Sequence, residues 1–379
     1  MTNATEGASP ADADGEPASG ANANGAPASG ASADLTPAPG ASPDGPPASP
    51  GPVGSGAPLP AHLHDAARLY GVRAEDLTAL GSFESDVYAF DGPGGPRVLK
   101  VIAPTHRTPE LVQAEVDWLL ALLEAGVSVS APVRAATGAW VERVEGTGHV
   151  LVAFERAPGD LVRSRDWTDD LLRRWGRLLG QLQAHSRAWT APGPRRHTLA
   201  EQTYVYRAGE MEAEDPEFVA AARELLAAAR PLLLPDAAGL DGGLVHADLH
   251  SGNFLAFEGR LTAIDFDDCA YGSYAFDIAM PLYYAVRLQK DRTHAEAAER
   301  FLEPFLRGFL EVAPLPAGGA RAIDVALRYR QAELVVALRV KLPASRLTET
   351  LRAVEKDLRD RVVAGTEHAP LATLERFFG

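Results

Sequence analysis

The sequence predicts an α+β fold in two parts: a small, mostly antiparallel sheet with one inserted helix, then a larger and mostly helical part. Three observations predict it. Between residues 77 and 154, short runs rich in β-branched and aromatic residues alternate with glycine-rich turns, broken by a single helical stretch. After Ala157-Pro158-Gly159 the apolar residues recur at three- and four-residue spacing instead. The polar, chemically capable loops fall between these regions, which places a site in the cleft between two lobes.

The elements follow in order. Residues 1–58 hold no aromatic residue, no lysine and no arginine, and fragments such as Pro17-Ala18-Ser19-Gly20 and Pro27-Ala28-Ser29-Gly30 recur every ten residues. So few large apolar side chains cannot offset the entropy of ordering, so this segment is expected to be a disordered low-complexity tail. An upstream start misassigned to Met1, or a tail that binds a partner, stay open as alternatives. Residues 61–70 read as a short helix, and 77–80, 87–90 and 97–102 as strands, the last two flanking the hairpin signal Asp91 to Pro96. A helix is expected over 109–125, with Thr108 as its cap and Pro109 in its first turn. Strands at 139–143 and 149–154 complete the sheet. A helix over 168–189 has Leu171, Leu172, Trp175, Leu178, Leu179 and Leu182 on one face. Residues 216–230 and 296–362 read mostly as helix, and 244–265 as strand, loop, strand, turn at Glu258-Gly259, strand. The organisation expected is a tail over 1–58, a nucleotide-binding N-lobe over 59–156 and a catalytic C-lobe over 157–379.

Composition narrows the partners. The chain has 379 residues and a formal net charge of -15, which disfavours nucleic acid and anionic membrane. The best candidate for a membrane span, 274–286, is too short to cross a bilayer and contains Asp277. A single cysteine, Cys269, forbids an intrachain disulfide and suits a reducing cytoplasm. Of 36 basic residues only Lys100, Lys290, Lys341 and Lys356 are lysines, so a lysine at a particular place needs a reason.

The chemistry concentrates in His246-Ala247-Asp248-Leu249-His250-Ser251-Gly252-Asn253 and in Asp265-Phe266-Asp267-Asp268. Phosphoryl transfer to an alcohol needs a carboxylate for the hydroxyl proton, oxygen ligands for magnesium and cationic help on the phosphates. Asp248 precedes Asn253 by the spacing of a kinase catalytic loop. Asp265 follows at the end of an apolar strand, where a second carboxylate can face the same metal. A zinc hydrolase is an alternative, since His246, Asp248 and His250 alternate and could share a face.

The first of these segments resembles the His-Gly-Asp-x-x-x-x-Asn motif of the aminoglycoside phosphotransferase and choline/homoserine kinase superfamily. Asp265 to Asp268, Tyr271-Gly272 and Phe276-Asp277 resemble its metal-binding segment and the aspartate that follows. The resemblance covers roughly residues 61–340. It implies a protein-kinase-like bilobal fold, ATP and Mg2+ as cofactors, Asp248 as catalytic base, and Asn253 and Asp265 as metal ligands. It also implies that Ser82 and Phe83 lie near the phosphates and that adenine sits against the lobe linker, about Glu155 and Ala157. Ala247 stands where the family usually has glycine. His246 and Asp277 read as structural and His250 as a supporting residue.

Lys100 ends the third strand, and Glu115 falls in the middle of the apolar arc of the following helix, between Leu111, Val112, Trp118, Leu119 and Leu122. A carboxylate there needs a partner. Lys100 is the expected one, as in the lysine–glutamate pair of kinases, with both serving the nucleotide. The alternative is a rotated helix with Glu115 exposed.

The expected activity is transfer of the γ-phosphate to a hydroxyl of a small molecule of amino alcohol, amino sugar or antibiotic type. A protein Ser/Thr kinase and a non-catalytic nucleotide-binding scaffold are the rivals. Glu210, Glu212, Glu214, Asp215 and Glu217, with Tyr204 and Tyr206, form either a surface for a cationic acceptor or a solvated helix face.

Overall fold

The computed structural model describes residues 60–80, 85–193, 195–235, 239–342 and 348–379. The expected tail over 1–58 lies outside them. The first part is a sheet of β1 (Thr78–Ala79), β2 (Asp86–Gly92), β3 (Gly95–Ile102), β4 (Pro132–Val133), β5 (Val141–Arg143) and β6 (Val150–Glu155). All pairings are antiparallel in the order β1-β2-β3-β6, and β4 and β5 share the far edge of β6. Period-two alternation splits β3 between two faces. Leu99 and Val101 pack with Leu63, Ala66 and Tyr70, under α1 (Ala61–Leu69). Ile102, and with it Lys100, faces the other way, towards α2 (Pro109–Glu124) and the main core. Thr108 caps α2 by accepting from Leu111 N at 3.4 Å.

The second part is built on α3 (Asp169–Ala188), α4 (Leu199–Gln202), α5 (Pro216–Ala229), α6 (Tyr274–Leu288), α7 (His294–Phe309), α8 (Gly319–Lys341), α9 (Glu349–Val363) and α10 (Leu371–Phe378). The apolar run too short for a membrane is α6, buried on all sides. Among the described residues no helix is long and apolar enough to cross a membrane. α3 and α7 cross closely because Gly176 and Gly308 sit at the contact. A Cβ on either would come within 1.8 Å of the facing backbone carbonyl, of Phe305 or Arg173 respectively.

Two small ribbons carry the loops of interest. β7 (Gly242–Val245) pairs antiparallel with β10 (Ala270–Ser273), and β8 (Phe254–Phe257) with β9 (Arg260–Ala263). The β8–β9 turn is Glu258-Gly259, both at positive φ (46° and 78°), which suits a two-residue hairpin whose twist matches its strands. Most elements match the sequence reading to within a few residues. β4, α4, β10, α6 and α10 were not anticipated, and the helical stretch over 296–362 falls into α7, α8 and α9, with Gly318 and Gly319 at positive φ where α8 begins.

Candidate active site

The segment from His246 to Asn253 leaves β7, and the segment from Ile264 to Cys269 returns to β10, so pairing of those strands holds the two loops side by side. Backbone bonds fix the first loop: His250 N donates to Asp248 O at 2.8 Å and Asn253 N to His250 O at 2.9 Å. His246 ties the loops together. Asp248 N donates to its Nδ1 at 3.4 Å, so the proton resides on Nε2, which donates to Ile264 O at 3.1 Å. Both ring nitrogens are thus used, which removes His246 from any zinc site. Burial holds its pKa below the ordinary value, in keeping with a neutral ring. Asp277 accepts from Ala247 N at 2.8 Å, and burial pushes its carboxyl up to about 6. Ala247 itself has φ 68°, the left-handed region where glycine is at ease.

Asp248 is buried to 1% exposure. Asn253 Nδ2 donates to its backbone carbonyl at 2.9 Å and to Oδ2 at 3.3 Å, and His250 Nε2 lies 3.4 Å from Oδ2. Gly252 N donates to His250 Nδ1 at 2.9 Å, so the other nitrogen carries the proton that faces Asp248. Oδ1 accepts from Arg330 Nη2 of α8 at 2.8 Å.

Asp265, at φ 60°, turns its carboxylate towards the sheet. Lys100 Nζ donates to Asp265 Oδ1 at 2.5 Å and stands 3.7 Å from Asp267 Oδ2. Burial opposes the charged ammonium, but Asp265, Asp267 and Glu115 outweigh it and raise the lysine above its ordinary value. The expected Lys100–Glu115 ion pair is not made. Glu115 is buried as expected, but its nearest cation is Arg196, at 3.8 Å. Burial, then the charge of Asp267, pushes its carboxyl up to about 7. Arg196 also donates to Leu111 O, Cys269 O and Asp267 O, so it fastens α2 to the Asp265 loop. Lys100 therefore pairs across the cleft instead of within the N-terminal sheet.

The remaining expected residues divide. Ser82 and Phe83 lie outside the described residues. Glu155 ends β6 with its backbone engaged: its N donates to Ala131 O at 2.7 Å and its carbonyl accepts from Ser130 Oγ at 2.7 Å. Ala157 lies beyond the strand, and among the described residues its backbone enters no sheet bond. Several acids of the run from Glu210 to Glu217 meet arginines. Glu210 pairs with Arg207, Glu212 with Arg223, and Asp215 with Arg339 and Arg359. Asp215 also caps α5, and Tyr204 is buried.

A small cavity of about 20 Å³ lies beside Ala247, lined by Gln202, Asp268, Phe276, Arg330 and Glu333, among others. Burial, then the Asp248 charge, drives the Asp268 carboxyl well above its ordinary value. Among the described residues its Oδ1 accepts no hydrogen bond, though Arg107 Nη2 is 3.5 Å away.

A family model described as phosphotransferase enzyme family matches residues 76–322. The chain belongs to that family. Amicoumacin kinase from Bacillus subtilis (strain 168) is 30% identical over 277 residues, covering 71% of this chain and 81% of the relative. The structure of amicoumacin kinase hAmiN in complex with AMP-PNP, Ca2+ and Ami aligns with TM-score 0.74 at 26% identity, over 81% of this chain and 94% of that one. A microcompartment-associated aminopropanol kinase shares the fold at TM-score 0.62 and 23% identity, over 81% and 98% of the two chains. This phosphotransferase has the kinase-like α+β architecture that the sequence suggests.

Sequence reasoning missed Arg196, Arg330 and Glu333. Arg196 lies in an irregular segment with no periodicity to betray it. Arg330 and Glu333 did carry a signal: they interrupt the apolar residues of a long helix at a spacing of three, the same test that flagged Glu115.

Proposed function

We propose that this phosphotransferase moves the γ-phosphate of ATP, with magnesium, onto a hydroxyl of a small molecule that carries a cationic amine. The observation that carries the reading is the buried carboxylate of Asp248, held by Asn253 on a loop fastened beside the one that presents Asp265 to Lys100. In the reaction Asp248 orients the acceptor hydroxyl and takes its proton as the oxygen bonds to the γ-phosphorus. The bond from that phosphorus to the β–γ bridging oxygen breaks, and ADP leaves.

The donor set suits magnesium. Asn253 Nδ2 is spent on Asp248, leaving its amide oxygen for a cation, and Asp265 already attracts an ammonium. Asn253 and Asp265 would hold the ion, which when bound neutralises phosphate charge. Lys100, supported by the buried Glu115 behind it, serves the phosphates, together with Ser82 and Phe83. The linker at Glu155 and Ala157 receives the adenine. Residues 59–156 form the nucleotide lobe and 157–379 the catalytic lobe of an enzyme of the reducing cytoplasm.

Asp268 in the cavity beside the base supports an amine on the acceptor, since its buried Oδ1 accepts no hydrogen bond among the described residues. The relatives' names, amicoumacin kinase and aminopropanol kinase, agree with that chemistry. The test is a screen of amino alcohols, amino sugars and antibiotics for ATP consumption, each beside its N-acetylated form, with product mass read directly. Transfer to the free amines and not to the acetylated forms is expected. Phosphorylation of proteins with no turnover of any small alcohol would overturn the reading.

A further inference from the structure

Arg330 and Glu333 lie on α8, beyond the residues that the family model matches, and no motif points to either. Both are buried, with Arg330 at 3% exposure. A buried guanidinium is costly unless its donors are met. Here Nη1 donates to Glu333 Oε2 at 2.8 Å, and Nη2 donates to Asp248 Oδ1 at 2.8 Å and to Tyr284 OH at 2.9 Å.

Glu333 is a local partner, three residues on along the same helix, and the buried Nε meets no partner among the described residues. The bond to Asp248 reaches 82 residues back along the chain to the carboxylate assigned as the base. It binds the oxygen that Asn253 and His250 leave alone. One guanidinium nitrogen on one carboxylate oxygen, with an amide on the other, fixes the plane of that carboxylate as well as its position, and the planar guanidinium ties that contact to Glu333. Base catalysis depends on that plane, since a lone pair must face the acceptor hydroxyl.

We propose that Arg330 is a positioning residue for phosphoryl transfer: it sets the orientation of the Asp248 carboxylate from the helix opposite the catalytic loop, with Glu333 and Tyr284 holding its own fork in place. The inference rests on Asp248 as the base. The lysine of an Arg330→Lys enzyme keeps the charge but not the fork, so the proposal separates geometry from electrostatics.

The test is steady-state kinetics of the full chain with ATP and the best acceptor from the screen, on Arg330→Ala, Arg330→Lys, Asp248→Asn and the Asp248→Asn/Arg330→Ala double variant. Misplacing a reacting group by about 1 Å costs roughly 10²-fold, so Arg330→Ala should lose about that much kcat while KM for ATP stays within about 3-fold. Guanidinium ion added to Arg330→Ala should restore part of kcat in a saturable way, and methylammonium should not. Arg330→Lys, which keeps a cation in the core, should fold and still lose roughly 10-fold in kcat per folded molecule. In the Asp248→Asn background Arg330→Ala should cost little more, because the two act as one unit.

If Arg330→Lys keeps wild-type kcat, the proposal fails. It fails equally if the Asp248→Asn and Arg330→Ala losses multiply, or if guanidinium has no effect on a folded Arg330→Ala enzyme. Should Arg330→Ala not fold, Arg330→Lys alone decides. Failure of the underlying reading looks different: Asp248→Asn itself would then keep turnover.

Discussion

Lys100 Nζ sits 2.5 Å from Asp265 Oδ1, an ammonium from the third strand resting on the carboxylate assigned to the metal. Asp267 Oδ2 stands 3.7 Å from the same nitrogen. The ammonium reaches across the cleft and neutralises two carboxylates of one loop that would otherwise repel each other. If Asp265 holds the proposed Mg2+, Lys100 and the ion compete for the same carboxylate.

That competition is measurable. Lys100→Met should tighten binding of free Mg2+ and weaken use of ATP. Even discounted for the partial exposure of Asp265, removing a competing charge at this separation is worth at least about 1.4 kcal/mol, roughly 10-fold in Mg2+ affinity. Titration calorimetry with Mg2+ in the absence of nucleotide checks it. Weaker Mg2+ binding by Lys100→Met would show that the lysine does not occupy the metal's ligand.

Glu115 makes folding pH-dependent. Its carboxyl is pushed up to about 7 from 4.5, chiefly by burial and then by Asp267. The native protein therefore keeps a proton through a window in which the unfolded chain has lost it. Its contribution to stability is full below pH 4.5 and declines as pH rises through 7, by at most about 3 kcal/mol. Glu115→Gln removes this slope, whereas Asp277 contributes the same sign in both proteins and cancels. Urea denaturation between those pH values should give a flatter profile for Glu115→Gln. Parallel profiles would mean that Glu115 is not held protonated.

Ala247 tests the loop. Its φ of 68° costs an alanine about 1–2 kcal/mol relative to a right-handed conformation. Ala247→Gly relieves that strain but frees the unfolded chain and removes a buried methyl, each worth about 0.5–1 kcal/mol. The terms nearly cancel, so Ala247→Gly should melt within a few degrees of wild type, on the order of 1 kcal/mol at most. Ala247→Val adds β-branching where φ is positive and should lose at least about 2 kcal/mol, with turnover falling alongside. Equal melting temperatures for the two variants would contradict the left-handed geometry.

What the sequence made legible was local. Thr108 before an apolar helix and Glu258-Gly259 between strands carry their own geometry, and the Asp248–Asn253 spacing fits one short loop. What it concealed were partners set by tertiary packing. Glu115 was identified as a buried carboxylate needing a cation, but an arginine 81 residues later along the chain, Arg196, reaches it first. Among the acids from Glu210 to Glu217, Glu210 meets the local Arg207, whereas Glu212, Asp215 and Glu217 meet Arg223 of α5, Arg339 of α8 and Arg359 of α9, which the run itself does not reveal. The reading of 274–286 as the best membrane candidate, and its rejection on length, agree with its place as the buried helix α6. Periodicity identifies a buried face, but it does not say which charge meets it.

The division of labour between Asp248 and Asp265 is the centre of the account. Asp248 is buried among fixed donors and is the proposed base, whereas Asp265 meets a cation and is the proposed metal ligand. The most direct measurement is single-turnover transfer of the γ-phosphate to the acceptor by Asp248→Asn protein saturated with Mg-ATP. A positioned base contributes roughly 10²–10⁴-fold, so transfer should slow by at least about 10²-fold while Mg-ATP affinity stays near that of wild type. Transfer at the wild-type rate, or loss of Mg-ATP binding by Asp248→Asn while Asp265→Asn retains it, would contradict the account.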